Sequence, residues 1–153
     1  MSAVSDILQG IHLPRMVRVR QQFDCETVAD VPAEVMAQLS HGFVHGIRPG
    51  MRVAITCGSR GIANLPAIMR TMVDFCRQQG AEPFLIPAMG SHGGATAEGQ
   101  RAVLAALGVT EERCGCPICS SMETQIIGET AEGHPVQIDR YAAQADGIIV
   151  VNR

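Results

Sequence analysis

The chain has 153 residues, 46% hydrophobic and 18% charged, a composition typical of one globular domain and not of a disordered segment. Its net charge is −3 and it has no lysine, no tryptophan and few aromatic residues, so we expect neither nucleic-acid nor membrane partners. The N-terminal residues lack the apolar region of a signal peptide, and no apolar run has the length of a membrane span. Together with six cysteines, these features predict a cytoplasmic protein with reduced thiols.

The first part of the sequence predicts a loose arm, a strand and a helix. Residues 1–14 have little pattern and are expected to form a loose N-terminal arm, whereas residues 15–153 are predicted to form one domain. From Pro14 to Phe23 apolar residues alternate with arginines, which is typical of a half-buried strand. The spacing of apolar residues from Pro32 to Leu39 predicts a short helix with the proline in its first turn.

Two histidines follow this helix at a spacing that is compatible with a metal site. His41 and His45 are four residues apart, so both would lie on one face of a helix. Gly42 and Gly46 weaken a helix in this position, and no glutamate follows His41 to complete a zincin-type motif. The favoured interpretation is therefore a pair of surface histidines at a helix end.

The central part of the chain predicts a strand–helix–strand unit. A buried strand is expected over Met51–Thr56, and a helix from about Leu65 with Asn64 as its N-cap and Gly80 as its stop signal. A second buried strand is expected over Pro83–Pro87. Because the two strands are joined by a helix, they are predicted to be parallel neighbours in one sheet.

Each of these strands runs into a glycine-bearing loop, and both loops are expected at the carboxyl edge of the sheet. In the loop at 89–95, glycines at 90, 93 and 94 permit positive φ angles on both sides of His92. Thr96 is the predicted N-cap of the next helix. Ligands bind at this edge in open α/β sheets, so a functional role for His92 is favoured over a solvated loop histidine.

The loop at 57–61 is a candidate anion site. It has neither the three-glycine spacing of a dinucleotide fingerprint nor the Gly-Lys-Ser/Thr of a phosphate-binding loop. Backbone N–H groups, Ser59 and the Arg60 guanidinium could still bind an anion next to the following helix. The alternative for Arg60 is a surface ion pair. Because the loops share one edge, Arg60 and His92 are predicted to be neighbours.

Three thiols occur within six residues of the C-terminal third. Cys114, Cys116 and Cys119 could bind zinc together with His134, since these donors make up tetrahedral zinc sites. No second Cys-x-x-Cys pair follows, so buried or idle thiols are the favoured interpretation.

The last thirty residues predict a β-hairpin, a short helix and a final strand. Two strands, Thr124–Glu129 and His134–Ile138, flank a turn, and Asp139 is the expected cap of a helix through Ala145. Residues 147–153 read as a buried strand with nothing after it, which suggests a truncated chain with poor solubility. The predicted fold class is α/β, a Rossmann-like open sheet with a parallel βαβ core and a β-hairpin in the C-terminal third.

From about residue 15 to Arg153, and most strongly over residues 51–100, the sequence resembles the N-terminal domain of the nickel-dependent lactate racemase (LarA-like) family. Residues 90–96, Gly-Ser-His-Gly-Gly-Ala-Thr, are similar to the family's Gly-x-His-Arg-x-x-Thr loop. Ser59-Arg60 is similar to the end of its Asp-x-Thr-Arg loop, and Asn152-Arg153 to the start of its Asn-Arg-x-Lys-Pro-His segment.

The resemblance implies a racemase or epimerase of 2-hydroxy acids that transfers hydride through a nickel-pincer nucleotide derived from nicotinic acid. His92 would be one of two general bases and Arg60 would hold the substrate carboxylate. The cofactor would be lined by Cys57, Gly58, Ser59 and Arg60. The second base, the lysine that tethers the cofactor and the histidine that binds nickel are expected beyond residue 153, so this piece alone is expected to be inactive.

Two positions depart from the family pattern. Cys57 stands in place of the aspartate, and Gly93 replaces the arginine after the histidine. A 2-hydroxy acid other than lactate is therefore as compatible with the sequence as lactate itself. Self-association of the chain is left open. The alternative function is a non-catalytic binding module for a small carboxylated or phosphorylated metabolite, built on the same two loops.

Overall fold

A computed structural model describes residues 4, 7–9, 11, 15–24, 26–42 and 46–152. They form a parallel three-stranded sheet with helices between its strands, plus an antiparallel hairpin. No helix in this described part is long and apolar enough to cross a membrane. In chain order the elements are α1 (Val31–Gly42), β1 (Arg52–Cys57), α2 (Leu65–Gln78), β2 (Glu82–Pro87), a 3₁₀ turn (Gly93–Ala95), α3 (Ala97–Ala106), α4 (Glu111–Cys114), β3 (Thr124–Glu129), β4 (Pro135–Asp139), α5 (Arg140–Ala143) and β5 (Gly147–Ile149).

Strand β1 is the centre of the sheet, with β2 on one side and β5 on the other, all parallel. Every residue of β1 except Arg52 is buried, as expected for a strand that has neighbours on both edges and layers on both faces. The parallel βαβ core and the α/β fold class that the sequence predicted are confirmed.

The two faces of the sheet are covered unequally. Side chains alternate along β1, so Val53, Ile55 and Cys57 belong to a large core with residues of α1, α2, α3 and α4. Ala54 faces the other way, into a small cluster with Phe84, Ile86 of β2 and Ala142 of α5. The larger core therefore holds the strands and the helices that follow them in fixed positions.

Most of the predicted helix boundaries are confirmed by capping contacts. The Thr96 hydroxyl accepts a hydrogen bond of 3.0 Å from the Gly99 N–H in the first turn of α3. The Asp139 carboxylate accepts from the first turn of α5 in the same way. Helix α2 ends at Gln78, and Gly80, two residues later, has a left-handed φ of +77° that the chain needs to leave the helix. Asn64 occupies the N-cap position of α2, as predicted, but its backbone is left-handed at φ +59° and its side chain makes no cap hydrogen bond. Pro66 in the first turn instead removes a donor that would otherwise need a partner.

The strand predicted between Pro14 and Phe23 is wrong for the residues that can be described. Residues 15–24 have no regular secondary structure, and Met16 and Val19 are 93% and 85% exposed. An alternating pattern becomes a strand only where a neighbour accepts its backbone hydrogen bonds, and no described strand pairs with this segment. The loose arm proposed for residues 1–14 lies mostly outside the described residues.

The hairpin is confirmed, with a loop at 130–134 and a bulge between Ile126 and Gly128. All six residues of β3 are exposed. Helix α5 ends at Ala143 and β5 at Ile149, so both elements are shorter than predicted. His41 is an exposed residue of α1, whereas His45 lies outside the described residues, so their pairing stays a prediction.

The two isoleucines of β5 provide a matched test of this arrangement. Ile149 is 6% exposed in the helix-covered core, whereas Ile148 is 40% exposed. We expect Ile149→Ala to lower the free energy of unfolding by about 2–5 kcal/mol, because it leaves a cavity in the core. Ile148→Ala loses the same β-propensity but should cost only about 1 kcal/mol or less. Urea unfolding measures both, and equal losses would contradict the assigned faces of β5.

Candidate functional site

The ends of β1 and β2 lie side by side, which fixes where the two loops begin. In the parallel register Cys57 is paired with Pro87, the last residue of each strand. The N–H of Ala88 then donates to the Cys57 carbonyl at 2.8 Å and extends the pairing by one residue. The loops at 57–61 and 89–95 therefore leave the same edge of the sheet, as the sequence predicted.

A hydrogen bond joins the two loops at two of the candidate site residues. Ser59 Oγ lies 2.5 Å from His92 Nδ1, although the two residues are 33 positions apart in the sequence. His92 is exposed and Ser59 is half-buried, so the pair stands at the surface of the sheet edge. The exposed imidazole is therefore held by a hydrogen bond to the other loop.

Both loops line one small cavity of about 250 Å³. Arg60 and His92 are both part of its wall, so the predicted neighbourhood of these two residues is confirmed. The polar part of the wall is completed by Ser59 and Asn152. The remaining lining residues are small or apolar: Gly58, Ile62, Ala88, Met89, Gly90 and Val151. A cavity this small matches a ligand of a few heavy atoms better than a drug-sized ligand.

A third segment of the site was missed by the sequence reasoning. The Thr56 hydroxyl accepts from the Val151 N–H at 2.8 Å and lies 3.4 Å from its carbonyl oxygen. This contact holds the segment after β5 beside the end of β1 and brings Asn152 into the cavity wall. The available signal was the final strand itself, because a parallel neighbour of β1 must end at the same edge.

The glycine loop adopts the conformation that its sequence predicted. Gly90, Gly93 and Gly94 have φ angles of +61°, +67° and +68°. Gly93 also lies against the first turn of α3, where a Cβ atom would come within 2.4 Å of the Gly99 carbonyl carbon. The buried Gln100 side chain donates to the Gly90 carbonyl at 2.8 Å. These contacts hold the loop on both sides of His92.

Cys57 differs from the other residues predicted to line the cofactor. Its side chain is fully buried in the core, and the cavity is lined by Gly58, Ser59 and Arg60 without it. Burial, with a smaller contribution from nearby Cys114, raises the pKa of the Cys57 thiol to about 11. The thiol is therefore protonated at neutral pH and cannot act as the carboxylate of the family motif.

The cysteines of the C-terminal third are mainly core residues. Cys114 and Cys116 are buried and Cys119 is half-buried, and burial raises the pKa of all three, that of Cys116 to about 12. His134 is exposed in the hairpin loop. Across the residues that the structure describes, no group of three or more His, Cys, Asp or Glu side chains could hold a metal ion.

Comparison with protein families agrees with this geometry. The model of the lactate racemase N-terminal domain matches residues 21–153. The chain belongs to this family. The match includes both loops, the glycine turn and the segment with Asn152, so the resemblance of the sequence motifs to lactate racemase is confirmed. A search of curated proteins found no match.

Gly93 and Gly94 test the close approach of the loop to α3, because their φ angles are nearly equal. Nothing lies within 4 Å of a Cβ added at Gly94, whereas one at Gly93 meets the backbone of Gly99. We expect Gly94→Ala to cost about 1–2 kcal/mol of stability from its left-handed backbone alone. Gly93→Ala should cost distinctly more, since the loop must also move away from the helix. Equal costs in urea unfolding would exclude the close approach.

The raised pKa of Cys57 predicts a dependence of stability on alkaline pH. In the unfolded chain the thiol ionises near its ordinary value of about 9, but in the folded chain near 11. Its contribution to stability is complete below pH 9 and is lost as the pH rises toward 11. The free energy of unfolding should therefore fall as the pH rises from 9 to 11. In Cys57→Ala it should fall less steeply, with a difference in slope of up to about 1.4 kcal/mol per pH unit. Parallel curves for the two proteins would contradict the buried, protonated thiol.

Proposed function

We propose that this chain provides substrate-binding and acid–base groups of a 2-hydroxy-acid racemase or epimerase of the lactate type. The observation that carries the proposal is the shared cavity: one guanidinium and one imidazole line the same space of about 250 Å³. Membership of the lactate racemase N-terminal domain family supports the reaction class.

Arg60 suits the binding of the substrate carboxylate. Its planar guanidinium can donate two parallel hydrogen bonds to the two carboxylate oxygens, which fixes the orientation of the acid. The residue is exposed at the wall of the cavity, where a small acid can reach it. The carboxylate of a 2-hydroxy acid held there leaves its hydroxyl group directed toward the rest of the cavity wall.

His92 suits the handling of the hydroxyl proton. Imidazole is the side chain that most readily accepts and returns a proton at neutral pH. Because Ser59 occupies Nδ1, the other ring nitrogen, Nε2, is the one that can meet a ligand. His92 would take the proton from the C2 hydroxyl of one enantiomer, and the second general base would give a proton to that oxygen when the other enantiomer forms.

The described residues fit only part of the requirement for a nickel-pincer nucleotide, the cofactor known from the family. Gly58 and Ser59 could line one edge of it, because both line the cavity. The space beside Gly58 is open, since a Cβ added there would come no closer than 3.8 Å to the Ala88 carbonyl oxygen. No described cluster of side chains could bind the metal, and the cavity matches the substrate in size better than a nucleotide. When bound, the cofactor supplies the acceptor for hydride.

Calorimetric titration with lactate and with propionate, which lacks the hydroxyl group, tests the two roles separately. We expect wild-type protein to bind lactate more tightly than propionate. Arg60→Ala should weaken both acids by roughly 10- to 100-fold, since it removes charged hydrogen bonds of about 1.5–3 kcal/mol. His92→Ala should leave the affinity for propionate nearly unchanged and abolish the preference for lactate.

Arg48→Ala is the matched control, because Arg48 is an exposed arginine that does not line the cavity. It should bind both acids as the wild type does. If His92→Ala keeps the full preference for lactate, the imidazole does not contact the hydroxyl group, and a non-catalytic binding module for small acids becomes the better description. If no small acid binds and Arg60→Ala changes nothing, the proposal is wrong.

A further inference from the structure

We infer that Ser59 is the positioning residue for His92: it orients the ring and keeps the proton of the neutral imidazole on Nδ1. The inference deepens the proposed function and rests on it for the direction of the hydrogen bond, because the role of His92 as a base decides which ring nitrogen carries the proton. The observation behind it is the 2.5 Å separation of Ser59 Oγ and His92 Nδ1.

Both partners of this hydrogen bond are held by the backbone. Ser59 follows the end of β1 by two residues, where the Ala88 N–H is bonded to the Cys57 carbonyl. On the other loop, the His92 N–H donates to the Met89 carbonyl at 3.3 Å. The ring and the hydroxyl group therefore meet because their loops are fixed, and the bond costs little additional conformational freedom.

The role of His92 as a base determines which way this bond must run. A neutral imidazole carries one proton, and only the nitrogen without it can accept another. If Ser59 donated to Nδ1, the ring proton would be on Nε2, and the nitrogen available to a ligand could not act as a base. If Ser59 accepts from Nδ1–H, Nε2 has the lone pair.

A hydroxyl group is suited to hold this arrangement throughout the reaction. Its oxygen accepts from Nδ1–H equally in the neutral ring and in the imidazolium that forms when Nε2 is protonated. No proton or side chain has to move on the Ser59 side when His92 gains or loses its proton at Nε2. The other candidates in the loop do not fit: the Cys57 thiol is buried in the core, and the Arg60 guanidinium has no acceptor atom.

Nitrogen NMR of the ligand-free chain tests the inference directly. Long-range ¹H–¹⁵N spectra of histidine-labelled protein, recorded at a pH at which the His92 signals no longer change, distinguish the two neutral tautomers. His92→Ala identifies the signals. We expect the wild type to show a protonated Nδ1 and an unprotonated Nε2. In Ser59→Ala this pattern should be lost in favour of the Nε2–H form that free histidine prefers in water, whereas Ser59→Thr should keep it.

Ser91→Ala is the control, because Ser91 is an exposed serine next to His92 and it should leave the tautomer unchanged. An Nε2–H tautomer in the wild type would overturn the inference even if the Ser59→Ala variant did not fold. A Ser59→Ala variant with the wild-type tautomer would also overturn it. These spectra need no ligand, so a failure of lactate to bind would count against the proposed function and leave the tautomer result as it is.

Titrations of the same variants show whether the positioning matters for the ligand. Ser59→Ala should lose the preference for lactate over propionate. Ser59→Thr should restore that preference. A general loss of affinity for both acids would indicate that Ser59 binds the carboxylate itself, and would overturn the positioning role.

Discussion

The parallel pairing of β1 with β2 is the constraint on which the site depends. It aligns Cys57 with Pro87, and the bond from the Ala88 N–H to the Cys57 carbonyl continues the pairing past the strands. Two loops that are far apart in sequence therefore start from paired residues at the ends of adjacent strands. The bond between Ser59 and His92 is a consequence of this alignment, because short loops from adjacent strand ends cannot separate far. The contact of Thr56 with Val151 adds the end of β5 to the same edge by the same geometry.

The departures from the lactate racemase pattern have structural explanations within this chain. Gly93, where the family loop has arginine, packs so closely on Gly99 that any side chain would displace the loop from α3. The two glycines thus depend on each other, since a Cβ at Gly99 would lie 1.8 Å from the Gly93 carbonyl oxygen. Cys57, where the family loop has aspartate, is an apolar core residue with a protonated thiol. Neither position therefore contributes a charged side chain to the site, and the Ser59 hydroxyl group is a hydrogen-bond partner of the imidazole.

The side chains that line the cavity are suited to substrate binding and proton transfer, which are different tasks from the hydride transfer that a cofactor supplies. In the proposed function, Arg60 binds and orients the carboxylate and His92 accepts one proton, and both residues line the same cavity. The hydride chemistry of the proposed reaction would come from the nickel-pincer nucleotide that the family is known to use. A cavity lined by three chain segments, each fixed by backbone or hydroxyl contacts, is suited to orient a small substrate for that chemistry.

The sequence by itself determined the helix after Pro32, the parallel βαβ core, the helix after Thr96, the C-terminal hairpin and the common edge of the two loops. Apolar runs, glycine punctuation and the cap at Thr96 are local signals, and local signals decide local structure. It could not decide whether Met16 to Phe23 form a strand. The alternation is present there, but no described strand pairs with this segment. The sequence also did not predict that the Cys57 side chain is buried in the core or that Asn152 lines the cavity. Those outcomes depend on which face of β1 meets the helices and on which strand pairs beside it, and only the packed tertiary structure fixes both.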